Sequence, residues 1–129
     1  MGDVAIRGHN RLMECTVLIV DDDAQFRRVA GELLADRGYR VVGEAGSAAD
    51  GLDLAEELRP DAVLLDVNLP DGDGLSVAAR LSVNGGPRVL LTSTDAGATT
   101  DRLVRGSGAA GFVSKADLTN VDLDRYLKR

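Results

Sequence analysis

Short apolar segments recur along the chain about every 20 to 27 residues and are separated by longer, more polar ones. The strongest are the uncharged runs 17–20, 62–65 and 89–91, and weaker ones lie at 40–45 and 111–113. Continuous apolar runs of this length are typical of strands buried on both faces of a sheet. Because each interval has room for one crossover helix, the pattern predicts an α/β fold with a parallel five-stranded sheet between layers of helices.

Apolar residues at helical spacing predict the helices between these strands. A helix over residues 24–37 is predicted to end at Gly38. Its inward face is predicted to consist of Phe26, Val29, Ala30, Leu33 and Leu34. A helix over residues 74–81 is predicted to turn Leu75, Ala78 and Ala79 inward.

The remaining helices are defined mainly by their ends. Ser47 is predicted to cap a helix that follows the second strand. Residues 95–108 are predicted to be only weakly helical, because Gly97, Gly106 and two adjacent threonines lower helix propensity. Asp117 or Thr119 is predicted to cap a final helix that reaches Leu127.

Length and composition predict one domain, residues 15–129, preceded by a flexible N-terminal leader at residues 1–14. The net charge of −6 without a Lys/Arg cluster argues against direct nucleic-acid binding by this chain. Cys15 is the single cysteine and is predicted to be a small buried hydrophobe. No apolar run approaches the roughly 18 residues of a membrane span, so we expect a cytoplasmic protein without a membrane partner.

Oxygen-bearing and cationic side chains follow the predicted strands. These are Asp21 and Asp22 after the first, Asp66 after the third, Thr92 after the fourth and Lys115 after the fifth. Parallel strands bring such ends to one edge of the sheet, where crowded carboxylates favour a hard divalent cation, Mg²⁺ above all. The set indicates phosphoryl transfer, with Asp66 as nucleophile and with Lys115 and Thr92 placed to contact phosphoryl oxygens.

Four segments in order, residues 18–23, 64–74, 91–93 and 108–116, resemble the receiver domain of bacterial two-component response regulators. The resemblance covers residues 17–127 and implies the flavodoxin-like strand order 2-1-3-4-5. It implies that Asp66 is the phosphoacceptor, and that Mg²⁺ is bound by Asp21, Asp22, Asp66 and the backbone carbonyl of Asn68. Thr92 and Lys115 would contact the phosphoryl group, and Thr92 and Phe112 would form the switch pair.

The same resemblance implies a phosphorylation-activated signalling switch. A histidine kinase or a phosphotransfer protein would be the donor, and the protein would also label itself from small phosphodonors and dephosphorylate itself. The 92–127 face would change to control an output partner or a homodimer formed through residues 95–127. Ala116 stands where many receivers have proline, as in the subfamily with a C-terminal helix-turn-helix output domain.

Three other interpretations compete with a phosphorylated receiver. Asp21-x-Asp23 resembles the nucleophile motif of haloacid-dehalogenase-type phosphatases, but that reading leaves Asp66 without a role. An EF-hand that starts at Asp66 fails because Pro70 and Val77 occupy liganding positions. The third is a receiver that binds partners without being phosphorylated. Such a protein would not need the complete set of pocket residues, which is present here as Asp21, Asp22, Asp66, Thr92 and Lys115.

Overall fold

Five parallel strands form the central sheet in the computed structural model, which describes residues 14–129. They are β1 (Thr16–Val20), β2 (Arg40–Ala45), β3 (Ala62–Asp66), β6 (Arg88–Ser93) and β7 (Gly111–Ser114). Two-residue strands, β4 (Asn68–Leu69) and β5 (Gly72–Asp73), pair in a small hairpin directly after β3. The sheet order is β2-β1-β3-β6-β7, so the predicted flavodoxin-like order is confirmed. Except for Glu14, the predicted leader lies outside the described residues.

Helices and two 3₁₀ turns connect the strands. The helices are α1 (Ala24–Asp36), α2 (Ala48–Leu58), α3 (Gly74–Leu81), α4 (Asp101–Gly106) and α5 (Asp124–Leu127). The 3₁₀ turns are Val83–Gly85 and Lys115–Asn120. Ser47 caps α2 by accepting a hydrogen bond from the Asp50 N–H at 3.1 Å, as predicted. No helix among residues 14–129 is both long and apolar enough to span a membrane.

The hydrophobic core lies on both faces of the sheet, because alternate residues of each strand point to opposite sides. Ile19 and Leu64 pack with α1 and α5 residues on one face, whereas Leu18 and Leu65 belong to the core beneath α2 and α3. Cys15 is buried in the first of these clusters, which confirms its predicted packing role. Burial on both faces explains why the strands read as continuous apolar runs.

The helix predicted weakly over residues 95–108 is shorter than expected, since only Asp101–Gly106 is helical. Residues 94–99 form bends and turns. Asp95 accepts a hydrogen bond from the Gly97 N–H at 2.8 Å, and its own N–H donates to Ser93 Oγ at 3.2 Å. Such local side-chain bonds compete with helix formation, and Thr100 caps the helix that remains.

The predicted caps of the last helix are wrong. Asp117 and Thr119 lie within the 3₁₀ turn, and α5 begins only at Asp124 with no side-chain cap at its N-cap position. Asp117 instead accepts a hydrogen bond from the Ser114 hydroxyl at 3.1 Å. That bond ties the turn to the end of β7 and removes the carboxylate that would have capped a longer helix.

Two predicted helix faces also need correction. Val29 on α1 is 51% exposed rather than part of the inward face. On α3, Ala79 is exposed and Val77 is buried in its place. The buried face of α1 is therefore narrower than the apolar face predicted from the sequence, and the buried face of α3 is rotated relative to it. In both helices the neighbouring elements cover only part of the predicted face.

Candidate functional site

The carboxyl ends of β1, β3, β6 and β7 bring the predicted site residues to one edge of the sheet. Asp21 follows β1 directly, Asp66 is the last residue of β3, and Lys115 follows β7. Thr92 of β6 lies opposite Asp66 in the parallel register. Residues from four separate parts of the sequence therefore meet as the pattern predicted.

Three carboxylates form the acidic part of this edge. One oxygen from each of Asp21, Asp22 and Asp66 lies within 4.8 Å of the others. Asp21 is fully buried and Asp66 is 6% exposed, whereas Asp22 is open to solvent. Like charges at such short range repel strongly in a buried setting, so the cluster requires positive charge.

Lys115 supplies part of that charge. Its Nζ lies 2.7 Å from Asp21 Oδ2 and 3.6 Å from Asp66 Oδ2. The ammonium also lies 4.2 Å from the centroid of the Phe26 ring. One cation faces three carboxylates, so the described cluster still has an excess of negative charge.

Burial raises the pKa of the Asp66 carboxyl above its ordinary value, and the charge of Asp21 adds to the rise. The Asn68 N–H, which donates to Asp66 Oδ1 at 3.1 Å, and the Lys115 ammonium act in the opposite direction. The rise shows that burial and like charge outweigh these partners. A further cation beside Asp66 would favour its ionised, nucleophilic form.

The donor set fits a hard divalent cation. It consists of carboxylate oxygens, the ligands that Mg²⁺ and Ca²⁺ prefer. Asp21 Oδ2 is buried and pairs with the Lys115 ammonium at 2.7 Å, but it accepts no further hydrogen bond from the described residues, so one lone pair remains for a metal. The exposed Asp22 leaves the cluster open to solvent, where waters would complete the coordination.

Asp21 is held in place through its backbone and one oxygen. Its N–H donates to the Ala45 carbonyl at 2.9 Å, and Arg27 Nη1 donates to the Asp21 carbonyl at 2.6 Å. Asp21 Oδ1 accepts from the Asp23 N–H at 2.8 Å. Asp23 itself caps α1 by accepting hydrogen bonds from the N–H groups of Gln25 and Phe26.

Thr92 lies beside Asp66 with an unused hydroxyl. The side chain is fully buried, and Oγ1 makes no hydrogen bond to any part of the chain that the structure describes. A buried polar group left unpaired costs about 1–3 kcal/mol. A phosphoryl oxygen next to Asp66 would give this hydroxyl an acceptor.

Phe112 lies on β7, half-buried and next to Val113, which pairs with Thr92. It borders a cavity of about 370 Å³ together with Ala96 and Tyr126. The structure thus places an aromatic side chain next to both the strand of Thr92 and an open space. Its movement between two positions stays a prediction.

Two residues of the loop after β3 have roles that the sequence patterns did not reveal. A Cβ on Gly74 would lie 2.3 Å from the Asp66 carbonyl oxygen, so only glycine fits there. Asp71 accepts hydrogen bonds from the N–H groups of Ala48 and Ala49, at 2.7 and 3.0 Å, and so ties the loop to α2. Gly74 carried a sequence signal, a glycine directly after the strand-end loop, whereas the partners of Asp71 are distant in sequence.

Comparisons with known proteins identify a single family. The family model described as "Response regulator receiver domain" matches residues 17–124. The transcription regulator BvgA of Bordetella pertussis is 42% identical over 100 residues, covering 77% of this chain and 48% of BvgA. The transcriptional regulatory protein PdtaR of Mycobacterium tuberculosis is 37% identical over 100 residues, with the same two coverages. The chain therefore spans about half the length of these curated relatives.

Solved structures agree with this result. The signal receiver domain of the response regulator NarL from Mycobacterium tuberculosis superposes with a TM-score of 0.70 and 32% identity, over 89% of this chain and 91% of that one.

Proposed function

The chain belongs to the family of response regulator receiver domains, and we propose that it is a signalling switch set by phosphorylation of Asp66. The observation that carries the proposal is the position of the Asp66 carboxylate. It stands at a strand end beside two further carboxylates, with Lys115 Nζ 3.6 Å away and the free Thr92 hydroxyl on the neighbouring strand. This is an arrangement of nucleophile, cation and hydrogen-bond donor that suits phosphoryl transfer.

In the proposed site, the carboxylates of Asp21, Asp22 and Asp66 and the backbone carbonyl of Asn68 hold one Mg²⁺. The bound ion would neutralise charge on the phosphoryl oxygens. The excess negative charge of the described cluster and the lone pair of Asp21 Oδ2 that Lys115 does not occupy support this assignment.

The proposed donor is a phosphohistidine of a histidine kinase or phosphotransfer protein, or a small phosphodonor. With phosphohistidine, an Asp66 carboxylate oxygen attacks phosphorus, the new O–P bond forms as the N–P bond breaks, and the imidazole leaves with the electron pair. With acetyl phosphate, the bond that breaks is the O–P bond to the acetyl group, and acetate leaves with the electron pair. Lys115 turns its ammonium to one phosphoryl oxygen, and Thr92 Oγ1 donates to another. Attack of water on phosphorus later returns the free carboxylate and inorganic phosphate.

Phosphorylation is proposed to be transmitted through Thr92 and Phe112 to the face formed by residues 95–127. As the Thr92 hydroxyl moves towards the phosphoryl group, Phe112 fills the space behind it. The changed face then engages an output partner or a second copy of the chain. BvgA and PdtaR, which are about twice as long, are described as transcription regulators. We propose that the partner of this chain is an output domain that regulates transcription, of the helix-turn-helix type that the resemblance at Ala116 implies. We also propose that the protein is cytoplasmic.

The decisive experiment is intact-mass and peptide-mapping mass spectrometry after incubation with acetyl phosphate and Mg²⁺. The parent should gain one phosphoryl group on Asp66, and Asp66→Asn should gain none. Asp53→Asn, which changes an exposed carboxylate on α2, is the matched control and should label like the parent. Labelling of Asp66→Asn combined with loss of labelling in Asp21→Asn would establish the phosphatase-type alternative. A parent that is labelled neither by acetyl phosphate nor by a phosphorylated histidine kinase would establish a receiver that works without phosphorylation.

A further inference from the structure

Phe26 contacts the pocket in a way that its position on the apolar face of α1 does not require. The Lys115 ammonium lies over its ring, 4.2 Å from the centroid, while the rest of the ring packs against the core cluster beneath α1. The electron-rich face of an aromatic ring attracts a cation at this range, and the attraction is larger when water is excluded. The Lys115 side chain is only 13% exposed, so the contact is largely shielded from solvent.

The ring is fixed to the acidic loop through a closed series of contacts. The Phe26 N–H donates to Asp23 Oδ1 at 3.3 Å, and the Asp23 N–H donates to Asp21 Oδ1 at 2.8 Å. Asp21 Oδ2 pairs with Lys115 at 2.7 Å, and Lys115 returns to the Phe26 ring. The backbone of Phe26 is therefore tied to the Asp21 loop, so the turn that places Asp21 also places the residue that carries the ring.

Within residues 14–129, the Lys115 ammonium has two ion-pair partners, Asp21 and Asp66, and one cation–π partner, Phe26. The proposed function assigns the two carboxylates to a metal and a phosphoryl group. Carboxylates that share their charge with a divalent cation attract an ammonium less strongly. The phosphorylated Asp66 likewise has no free carboxylate for Lys115. The Phe26 ring is the one neighbour of these three whose attraction does not change during the reaction.

We propose that Phe26 is a positioning residue. Its ring holds the Lys115 ammonium by a cation–π contact in the position beside Asp66 where the ammonium would contact a phosphoryl oxygen. This inference rests on the proposed function of Lys115. It assigns Phe26 a role in phosphoryl transfer beyond the core packing that its sequence position predicts. A ring that keeps the ammonium in place lowers the reorganisation needed when the phosphoryl group enters the site.

The test replaces Phe26 with 4-fluoro-, 3,5-difluoro- and 3,4,5-trifluorophenylalanine. Fluorine withdraws electron density from the ring face but changes its size very little, so a packing role would be unaffected. The rate of labelling by acetyl phosphate at saturating Mg²⁺ should fall in steps with each added fluorine. The total loss should be roughly two- to thirtyfold, the range spanned by a cation–π contact. Thermal unfolding of each variant reports on packing separately.

A second readout does not depend on phosphorylation. The ¹⁹F resonance of 4-fluorophenylalanine at position 26 should shift when Lys115→Gln removes the cation from the ring face. In the Lys115→Gln background, the fluorinated series should show no graded change in labelling rate.

A labelling rate independent of fluorine number, or a ¹⁹F resonance unaffected by Lys115→Gln, would overturn the inference while leaving Asp66 as phosphoacceptor. If the unmodified parent is not labelled on Asp66, the proposed function fails instead, and the ¹⁹F comparison still decides whether Phe26 binds the Lys115 ammonium.

Discussion

Gly74 is the residue whose replacement tests the architecture of the site most directly. A Cβ at this position would lie 2.3 Å from the Asp66 carbonyl oxygen, 2.7 Å from Val67 Cα and 3.0 Å from the Asp66 carbonyl carbon. All three atoms belong to the backbone, so no side-chain rotation relieves the overlap. The Gly74 N–H also donates to the Val67 carbonyl at 2.7 Å, which places α3 against the end of β3.

Gly74→Ala should therefore destabilise the fold and displace Asp66. Ordinary contact begins at 3.4 Å, so the loop and the end of β3 must separate by about an ångström, at the ~1–3 kcal/mol typical of overpacking. Weakening of the hydrogen bond from the Gly74 N–H adds about 1 kcal/mol. We expect a loss of roughly 2–4 kcal/mol in the free energy of unfolding, together with slower labelling of Asp66.

Urea unfolding followed by circular dichroism measures the first effect, and acetyl phosphate labelling measures the second. Gly106→Ala is the matched control for stability, because a Cβ there meets no atom within 4 Å and the residue lies in a helix. It should leave the protein as stable as the parent or stabilise it by up to about 1 kcal/mol. If Gly74→Ala unfolds at the same urea concentration as Gly106→Ala, the close approach of α3 to Asp66 is not a constraint in solution.

Three further predictions concern the loop, the metal and the switch. Two backbone N–H donors hold the pKa of Asp71 below its ordinary value, so its stabilisation is present above the unfolded-state pKa and is lost as pH falls through the lowered one. The difference in unfolding free energy between the parent and Asp71→Asn should therefore become smaller in acid. A difference that does not depend on pH would refute the stabilising role of the hydrogen bonds from Ala48 and Ala49 to Asp71. Asp22→Ala should weaken Mg²⁺ affinity measured by calorimetry, and an unchanged affinity would exclude Asp22 as a ligand. A beryllofluoride mimic on Asp66 should change amide exchange in residues 95–115, and a change confined to the surroundings of Asp66 would disprove the proposed coupling.

The sheet and the pocket were predictable because both depend on the same sequence feature. A strand whose residues are apolar on both faces of the sheet must be covered by helices on both faces. The first polar residue after such a strand then marks where the chain leaves the core. Val20 followed by Asp21, and Leu65 followed by Asp66, are such transitions. The strand order itself came from the resemblance to a family, since apolar runs do not specify which strands are neighbours.

Helix boundaries between β6 and α5 were less predictable because local bonds decide them. Asp95 and Asp117 each have a side-chain bond to a nearby group that competes with helix formation or capping. A sequence pattern gives the propensity of such a residue but not the partner it selects. The exposure of Val29 is a similar case, since the covered width of α1 depends on neighbours that are distant in sequence.

The features that sequence patterns missed lie around the Asp66 carboxylate. They share one physical cause, a contact with a residue that is not adjacent in the sequence. Gly74, Phe26 and Asp71 act through atoms of residues 8, 89 and 23 positions away, namely Asp66, Lys115 and Ala48. None of these contacts produces a periodic pattern in the sequence, because each one involves a single pair of residues rather than a whole face of a helix or strand. The Thr92 hydroxyl is the complementary case, a buried group that stays unpaired in this structure. The free energy lost through this missing hydrogen bond, about 1–3 kcal/mol, would be recovered if phosphorylation of Asp66 supplied an acceptor. If Asp66 is the phosphoacceptor that we propose, groups already in place would favour the phosphorylated form. Mutation of Thr92 should then alter the balance between the two forms more than it alters the fold.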